Sequence, residues 1–339
     1  MKSILATGGL AALVLIGGDV RAQSATQIYG LLDMWAGRSG ISGAGPSTTQ
    51  VNSGGMQTAY WGFAGGEELG GGLKAIYTIE GYLQLDTGAA GRTNTDAMFA
   101  RNAFVGLQGR AGELKLGRIL NPLFVATAQS NPFGGSIRFA PLLAQVWSPT
   151  MGRAVSGDTS WDNVVSYTTP AMSGFRLAAL ASFGETGFGV ATRNDGLFLN
   201  YARGPVVAWA VAQRARVGPG LVKIGESEQR TVFAGGSVDL GKVKLFASWD
   251  RAASSRPDLT ATTTQAGVAV PAGAGSIMLS FARTDNDVAI GADSRRETGA
   301  VGYDYFLSKR TDVYAVGQTD RLSSANRGNT YGVGIRHKF

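Results

Sequence analysis

The chain has 339 residues, no cysteine, one histidine and 50 glycines; its net charge is +7, and only 16% of its residues are charged. The missing cysteines exclude a disulfide framework, so packing and hydrogen bonds hold the chain together. Glycine stands at about twice ordinary usage but without a three-residue period, which excludes collagen, and the low charge argues against disorder.

The predicted elements begin with a leader. Lys2 is the only charge before the apolar stretch "ILATGGLAALVLIGG", and "VRAQS" follows with small residues at Val20 and Ala22. This pattern predicts a signal peptide over residues 1–22 and a mature chain over 23–339. Beyond residue 22 no run of eighteen apolar residues occurs, so no membrane helix is expected. No Pro- or Ser-rich linker divides the rest, which reads as one unit.

Strands follow in series. "LKAIYTIEGY" sets Ala75, Tyr77 and Ile79 against Lys74, Ile76, Thr78 and Glu80. In "RNAFVGLQGR" and "ELKLGR" the periodicity leaves the inward face open. "GFRLAALASFGE" sets Phe175, Leu177, Ala179, Ala181 and Phe183 against Arg176, Ala178, Leu180 and Ser182. "KVKLFASWDR" sets Val243, Leu245, Ala247 and Trp249 against Lys242, Lys244, Phe246, Ser248 and Asp250. "TGAVGYDYFLSKRTDVYAVGQTD" reads as a hairpin turning at Ser308-Lys309-Arg310. The chain ends on "TYGVGIRHKF", with Tyr331, Val333, Ile335, His337 and Phe339 on one side and Gly332, Gly334, Arg336 and Lys338 on the other. Side chains alternate faces with period 2 in a strand.

One face is thus aliphatic and aromatic, and the other is small or polar. A soluble barrel of this size needs a far more charged exterior. The pattern instead fits lipid outside and water inside, and a sheet in lipid must close on itself. At roughly twenty residues per strand and connection, the mature chain gives about sixteen strands, wide enough for an aqueous channel. The fold expected is all-β, a 16-stranded antiparallel transmembrane β-barrel.

Between "KLGR" and "WDNVVSY" lies a long connection, residues 119–160, read as a structureless loop; connections of this length are uncommon and usually functional. Phe124, Phe133, Phe139, Leu142, Leu143 and Trp147 disfavour a solvated excursion and favour packing on the inner wall. Residues 114–157 contain no Asp or Glu, whereas Lys115, Arg118, Arg138 and Arg153 are cationic. A narrow pore with low-dielectric walls focuses the field of such charges. The alternative for each arginine is a solvated residue or a partner for Asp33, Glu80 or Glu113.

Several segments match a family in order along nearly the whole mature chain. "TQIYGLLDMWAG", "WGFAGGEELGGGLKAIYTIEGYLQLDTG", "RNAFVGLQGRAGELKLGR", "WDNVVSYTTPAMSGF", "GYDYFLSKRTDVYAVG" and "GVGIRHKF" make the sequence resemble the general diffusion porins of Gram-negative outer membranes, most closely the betaproteobacterial type. The resemblance implies a trimeric barrel whose third outer loop folds inward as a constriction loop. "NPFGG", Asn131 to Gly135, resembles the turn of that loop. It also implies that Phe339 is part of the signal read by the outer-membrane assembly machinery.

Arg118 matches one position of the family's arginine ladder. Tyr60 and Ser160-Trp161 stand where the family commonly has Arg, so Arg138 and Arg153 are expected to substitute electrostatically. Arg118, Arg138, Arg153, Arg101, Tyr60, Asp33 and Asp158 form the expected constriction set.

The expected function is passive diffusion of ions and small hydrophilic solutes, anions preferred. The partners expected are a homotrimer, outer-membrane lipid, lipopolysaccharide and the assembly machinery, with no nucleic acid, cofactor or metal. An outer-membrane hydrolase needs a converging base and nucleophile, which one terminal histidine does not supply. A sugar-specific channel needs an aromatic slide, and Trp147 and Trp161 are too few. Asp285 and Asp287 lack the Gly and Glu placement of an EF-hand and are read as an outer loop open to weak Ca²⁺ binding.

Overall fold

In a computed structural model the structure describes residues 26–148, 151, 157–184, 193–216, 228–255 and 258–339. The leader over 1–22 and Arg153 lie outside the described residues.

The strands are β1 (Gln27–Ser39), β2 (Thr48–Ser53), β3 (Tyr60–Gly70), β4 (Leu73–Tyr82), β5 (Asn102–Gly109) and β6 (Gly112–Leu120). Two helices follow, α1 (Pro122–Gln129) and α2 (Pro141–Trp147). Then come β7 (Ser160–Thr168), β8 (Phe175–Ser182), β9 (Asp195–Arg203), β10 (Val206–Ala215), β11 (Gln229–Asp239) and β12 (Lys244–Ser255). The remaining strands are β13 (Asp258–Ala272), β14 (Gly275–Val288), β15 (Ser294–Phe306), β16 (Thr311–Leu322) and β17 (Gly328–Lys338).

Each strand pairs antiparallel with its neighbour, and β17 returns to β1 from Leu31↔Lys338 to Arg38↔Tyr331. The sheet is closed, and the seventeen segments make sixteen staves. The first half of β1 pairs with β3 (Gln27↔Ala64 to Leu31↔Tyr60), and its second half pairs with β2 (Met34↔Ser53 to Ser39↔Thr48). β2 and β3 are therefore one stave interrupted at residues 54–59. Gly54, with φ +76°, turns the chain out of the ladder. Asp33 then takes up the freed backbone, its carboxylate accepting from Gly55 N at 3.0 Å and Gln57 N at 2.7 Å.

Alternation sorts the faces as expected. In β12, Leu245, Ala247 and Trp249 are exposed, while Phe246, Ser248 and Asp250 are buried. The hairpin turn at 308–310 is closed by Ser308 N donating to Thr311 O at 3.0 Å. β5 and β6, ambiguous by pattern, turn Val105, Leu107, Leu114 and Leu116 outward. Their inner face holds Phe104 with the Lys115 ammonium 4.7 Å from its ring centroid. A register shift between Gly117 and Ile119 breaks the alternation there, and Gly117 at φ +135° accommodates it. This bulge is why period 2 could not be followed through "ELKLGR".

One rim carries short turns, and the other carries the long connections 83–101 and 121–159. In such barrels short turns face the periplasm and long loops face outward. At the short-turn rim Phe339 exchanges two backbone hydrogen bonds with Gly30, each 3.2 Å, and its ring lies against the face where Gly30 has no side chain. A Cβ on Gly30 would lie 2.6 Å from the Phe339 ring. His337 is exposed beside it, and its Nδ1 is bonded to the Thr311 hydroxyl at 2.8 Å.

The β17–β1 seam retains eight residue pairs without Phe339. Deleting Phe339 should therefore leave refolding in detergent nearly intact while lowering the amount of barrel in the outer membrane. Heat-modifiable electrophoretic mobility of refolded and of membrane-extracted protein measures both. Unchanged membrane levels of the truncated protein would count against this.

Candidate functional site

The connection after β6 is neither structureless nor outside. It folds into the barrel as two buried helical turns, α1 against β10 and β11 and α2 against β13, β14 and β15. Asn121 starts it. Its backbone N donates to Thr159 O at 2.8 Å, which ties the two ends of the loop together. Its side-chain oxygen caps α1 by accepting from Leu123 N at 2.9 Å, and its amide donates to Gln213 Oε1 of β10 at 3.1 Å. Pro122 and Pro141 occupy first helical positions, where a missing N–H costs nothing. The helices escaped the sequence reading because they are short and buried on nearly every side, so no amphipathic period marks them.

The six apolar loop residues singled out from sequence are all buried. Phe139 meets Trp35 of β1 edge-on at 5.2 Å and Tyr314 of β16 at 6.3 Å. Each such side chain contributes about 1.5–3 kcal/mol on burial. Polar ties fix its register. Gln145 donates to Thr298 Oγ1 at 2.8 Å and accepts from Thr284 Oγ1 at 2.6 Å. Ser136 Oγ donates to Gly55 O at 2.6 Å.

The "NPFGG" turn is locked by Asn131, which donates to Thr127 O at 2.8 Å and accepts from Phe133 N at 2.9 Å. Three wall glycines make its seat. A Cβ on Gly267 would lie 2.7 Å from Pro132, one on Gly302 2.9 Å from Phe133, and one on Gly235 2.9 Å from the Ser130 hydroxyl.

The expected charges fall in three groups. Arg118 is not a free cation. It donates to Asp162 Oδ1 at 2.6 Å, to Asp158 Oδ2 at 2.7 Å and to Ala100 O at 2.7 Å. These acids lie just beyond the acid-free stretch, and the β6–β7 pairing Ile119↔Trp161 brings them back beside it. Arg92, from the connection 83–101, joins the cluster. It donates to Asp158 Oδ1 and Thr159 Oγ1 at 2.8 Å each and is bonded to Asp96. Sequence reasoning missed Arg92, whose only local sign is its spacing of four from Asp96. Burial works against the Asp158 charge, but Arg92 and Arg118 outweigh it and hold the carboxyl below the usual carboxylate range.

Arg101 forms the second group. It is paired with Glu80, which also accepts from Tyr29 OH at 2.6 Å and from Asn102. Its guanidinium stacks 4.1 Å from the Tyr60 ring centroid, so Tyr60 serves as a platform for a cation. Asp33 is fully buried and belongs to the wall: besides Gly55 and Gln57, it accepts from Tyr314 OH at 2.6 Å. It therefore presents no open carboxylate oxygen to a permeating ion.

Arg138 differs from both groups. It lies on the inward loop, and among the described residues no carboxylate pairs with it. Its guanidinium has a long bond to Ser39 Oγ at 3.3 Å and sits 5.6 Å from the Trp35 ring centroid. Burial alone pulls its pKa down, and a guanidinium stays charged regardless. It lines a cavity of about 570 Å³ of mixed polar and apolar lining, together with Ser39, Asn52, Arg92, Ile137 and Gln318.

Asp285 and Asp287 lie on β14, not in an outer loop, and Asp285 is occupied by Arg283 at 2.9 Å and Arg295 at 2.8 Å. The Asp285 half of the pair expected to be open to Ca²⁺ is thus held by guanidinium groups.

A closed sixteen-stave barrel with a loop folded into its lumen is the architecture of an outer-membrane channel. The family model described as Gram-negative porin matches residues 9–325, and the chain belongs to that family. Outer membrane porin protein 32 of Delftia acidovorans is 29% identical over 323 residues, covering 92% of this chain and 87% of its own. An anion-selective porin from Comamonas acidovorans superposes with a TM-score of 0.78 at 25% identity, covering 94% of this chain and 100% of that one. The trimer form of in-vitro folded OmpT from Vibrio cholerae superposes at 0.66 and 16% identity, covering 93% and 99%. The protein is thus an outer-membrane porin, a water-filled channel for diffusion and not an enzyme.

Overpacking a fitted seat costs about 1–3 kcal/mol. Gly267→Val with Gly302→Val should displace the "NPFGG" turn and raise single-channel conductance while heat-modifiability persists. Gly299→Val, which meets nothing closer than 3.7 Å, should leave conductance unchanged. Conductance of the double variant equal to wild type would show that the wall glycines do not position the turn.

Proposed function

We propose that the channel passes ions and small hydrophilic solutes with a preference for anions, and that residues 119–160 form its constriction. The observation that carries this is Arg138, a half-buried, loop-borne guanidinium with no carboxylate partner among the described residues. At an effective dielectric of 20–80, a unit charge ~6 Å from a permeating ion contributes roughly 0.7–2.8 kcal/mol before ionic screening. About 1.4 kcal/mol is tenfold in local occupancy, so one unpaired arginine suffices for a clear preference. Confinement keeps the screening weak. Arg153 is assigned the same role. Arg118 and Arg101 act as clamped dipoles with Asp158, Asp162 and Glu80, with Tyr60 supporting Arg101. The anion selectivity of the Comamonas porin supports the reading.

Reversal potentials across a potassium chloride gradient measure the preference. Wild type should favour chloride, Arg138→Glu should weaken or reverse this, and Asp158→Asn should strengthen it by removing the one carboxylate that Arg92 and Arg118 share, Arg92 keeping Asp96 and Arg118 keeping Asp162. A cation-selective wild type would show that the acids beside Arg118 dominate instead.

The assembled form proposed is a homotrimer made after removal of residues 1–22, with Phe339 read by the assembly machinery. The trimer form of the Vibrio porin supports the oligomer. Light scattering in mild detergent should give three times the monomer mass, and a monomer there would overturn the assignment.

A further inference from the structure

α2 enters the lumen without the cap that α1 has: no side chain bonds its backbone from Ala140, and the helix spans only Pro141–Trp147. Gln145, which is buried, is its polar hold on the wall. The Ala282 carbonyl can only accept; it takes Gln145 Nε2 at 3.1 Å and so fixes which way the amide points. Nε2 also donates to Thr298 Oγ1 of β15 at 2.8 Å, and Oε1 accepts from Thr284 Oγ1 of β14 at 2.6 Å. A hydroxyl has one hydrogen to give. That of Thr284 goes to Gln145, so the 2.7 Å bond between Thr263 and Thr284 is donated by Thr263.

The same rule orders the other side. The Thr298 oxygen receives Gln145, and its hydrogen goes to Asp320 Oδ1 of β16 at 2.9 Å. Asp320 Oδ2 accepts from Arg296 Nη1 at 2.5 Å and from Ser42 N at 3.0 Å. Ser42 belongs to the outer connection between β1 and β2, and Arg296 Nη2 also donates to its carbonyl at 3.1 Å. Thr263, Thr284, Gln145, Thr298, Arg296 and Asp320 are each no more than 2% exposed. Three donors thus converge on one carboxylate. An amide at 320 has a single oxygen, which Arg296 and Ser42 N would hold from their side. Its N–H₂ would then face the Thr298 hydroxyl and compete for the oxygen that Gln145 uses, leaving the Thr298 hydrogen without an acceptor.

We propose that Asp320 is a positioning residue for the inward loop. It sets the Thr298 hydroxyl to receive Gln145 and so holds α2 against the wall. Through Ser42 the same carboxylate ties that hold to the first outer connection. The inference rests on the proposed constriction by residues 119–160 only for its effect on current, and the primary readout is the anchoring of α2 itself.

Hydrogen–deuterium exchange of the refolded protein, read by mass spectrometry on peptides covering 141–147, tests it, with single-channel conductance measured beside it. Thr298→Val should speed exchange of the α2 amides about tenfold, the scale of one lost buried hydrogen bond. Asp320→Asn should move it in the same direction, and the two together should do no more than Thr298→Val alone, because both act on one link. Peptides covering 122–129 should be unchanged, since Asn121 caps α1 separately. Thr298→Ser, which keeps the hydroxyl, and Thr319→Val, on the outward face of β16, should match wild type. If Asp320→Asn fails to refold because Arg296 is left buried without its carboxylate, Arg296→Met with Asp320→Leu removes both charges together and should show the faster exchange. Unchanged α2 exchange in Thr298→Val, or in the variant lacking the carboxylate, would overturn the proposal. Faster exchange with altered conductance supports both the positioning role and the constriction. Faster exchange with unchanged conductance supports the positioning role and counts against the constriction.

Discussion

In hydrocarbon no water is available to backbone N–H and C=O groups, so every one must bond within the chain. The rest of this structure follows from that constraint. It forces the sheet to close through β17 and β1, and it makes Phe339 the last hydrogen-bonded residue of the seam. It sends aliphatic side chains outward and leaves the lumen as the place for polar ones. The one stave that breaks, between β2 and β3, does so where the buried Asp33 carboxylate replaces the lost ladder bonds.

Once the lumen exists, the loop after β6 has somewhere to bury its apolar residues. The usual outer-loop rule, polar and solvated, fails here for the same reason that the barrel is inside out. Aromatic residues of the loop and the wall meet across it, as Phe139 does with Trp35 and Tyr314. The wall yields at Gly235, Gly267 and Gly302 to admit the loop tip. Glycine thus serves here as space.

Charge in the lumen is organised by pairing. Arg92 and Arg118 share Asp158, and Arg101 has Glu80. These pairs brace the loop and wall and largely cancel at a distance. In the proposed reading, selectivity depends on what is left over, the loop-borne Arg138 that no carboxylate pairs among the described residues.

Period-2 alternation is local, so the sequence alone determined the strands, most of their faces, the closing strand and the count of sixteen staves. The apolar side chains of residues 119–160 likewise placed the loop on an inner wall. What lay beyond reach depended on register between distant segments. Arg118 read as free because its partners Asp158 and Asp162 come beside it only through the β6–β7 ladder. Arg92 comes from another connection altogether, and the Asp33 carboxylate is taken up by a break in a neighbouring stave. The bulge at Gly117 hid the facing of β6, and burial on nearly every side hid α1 and α2. Which cations keep their charge exposed is a property of three-dimensional pairing, because a carboxylate a few ångströms away need not be near in the chain.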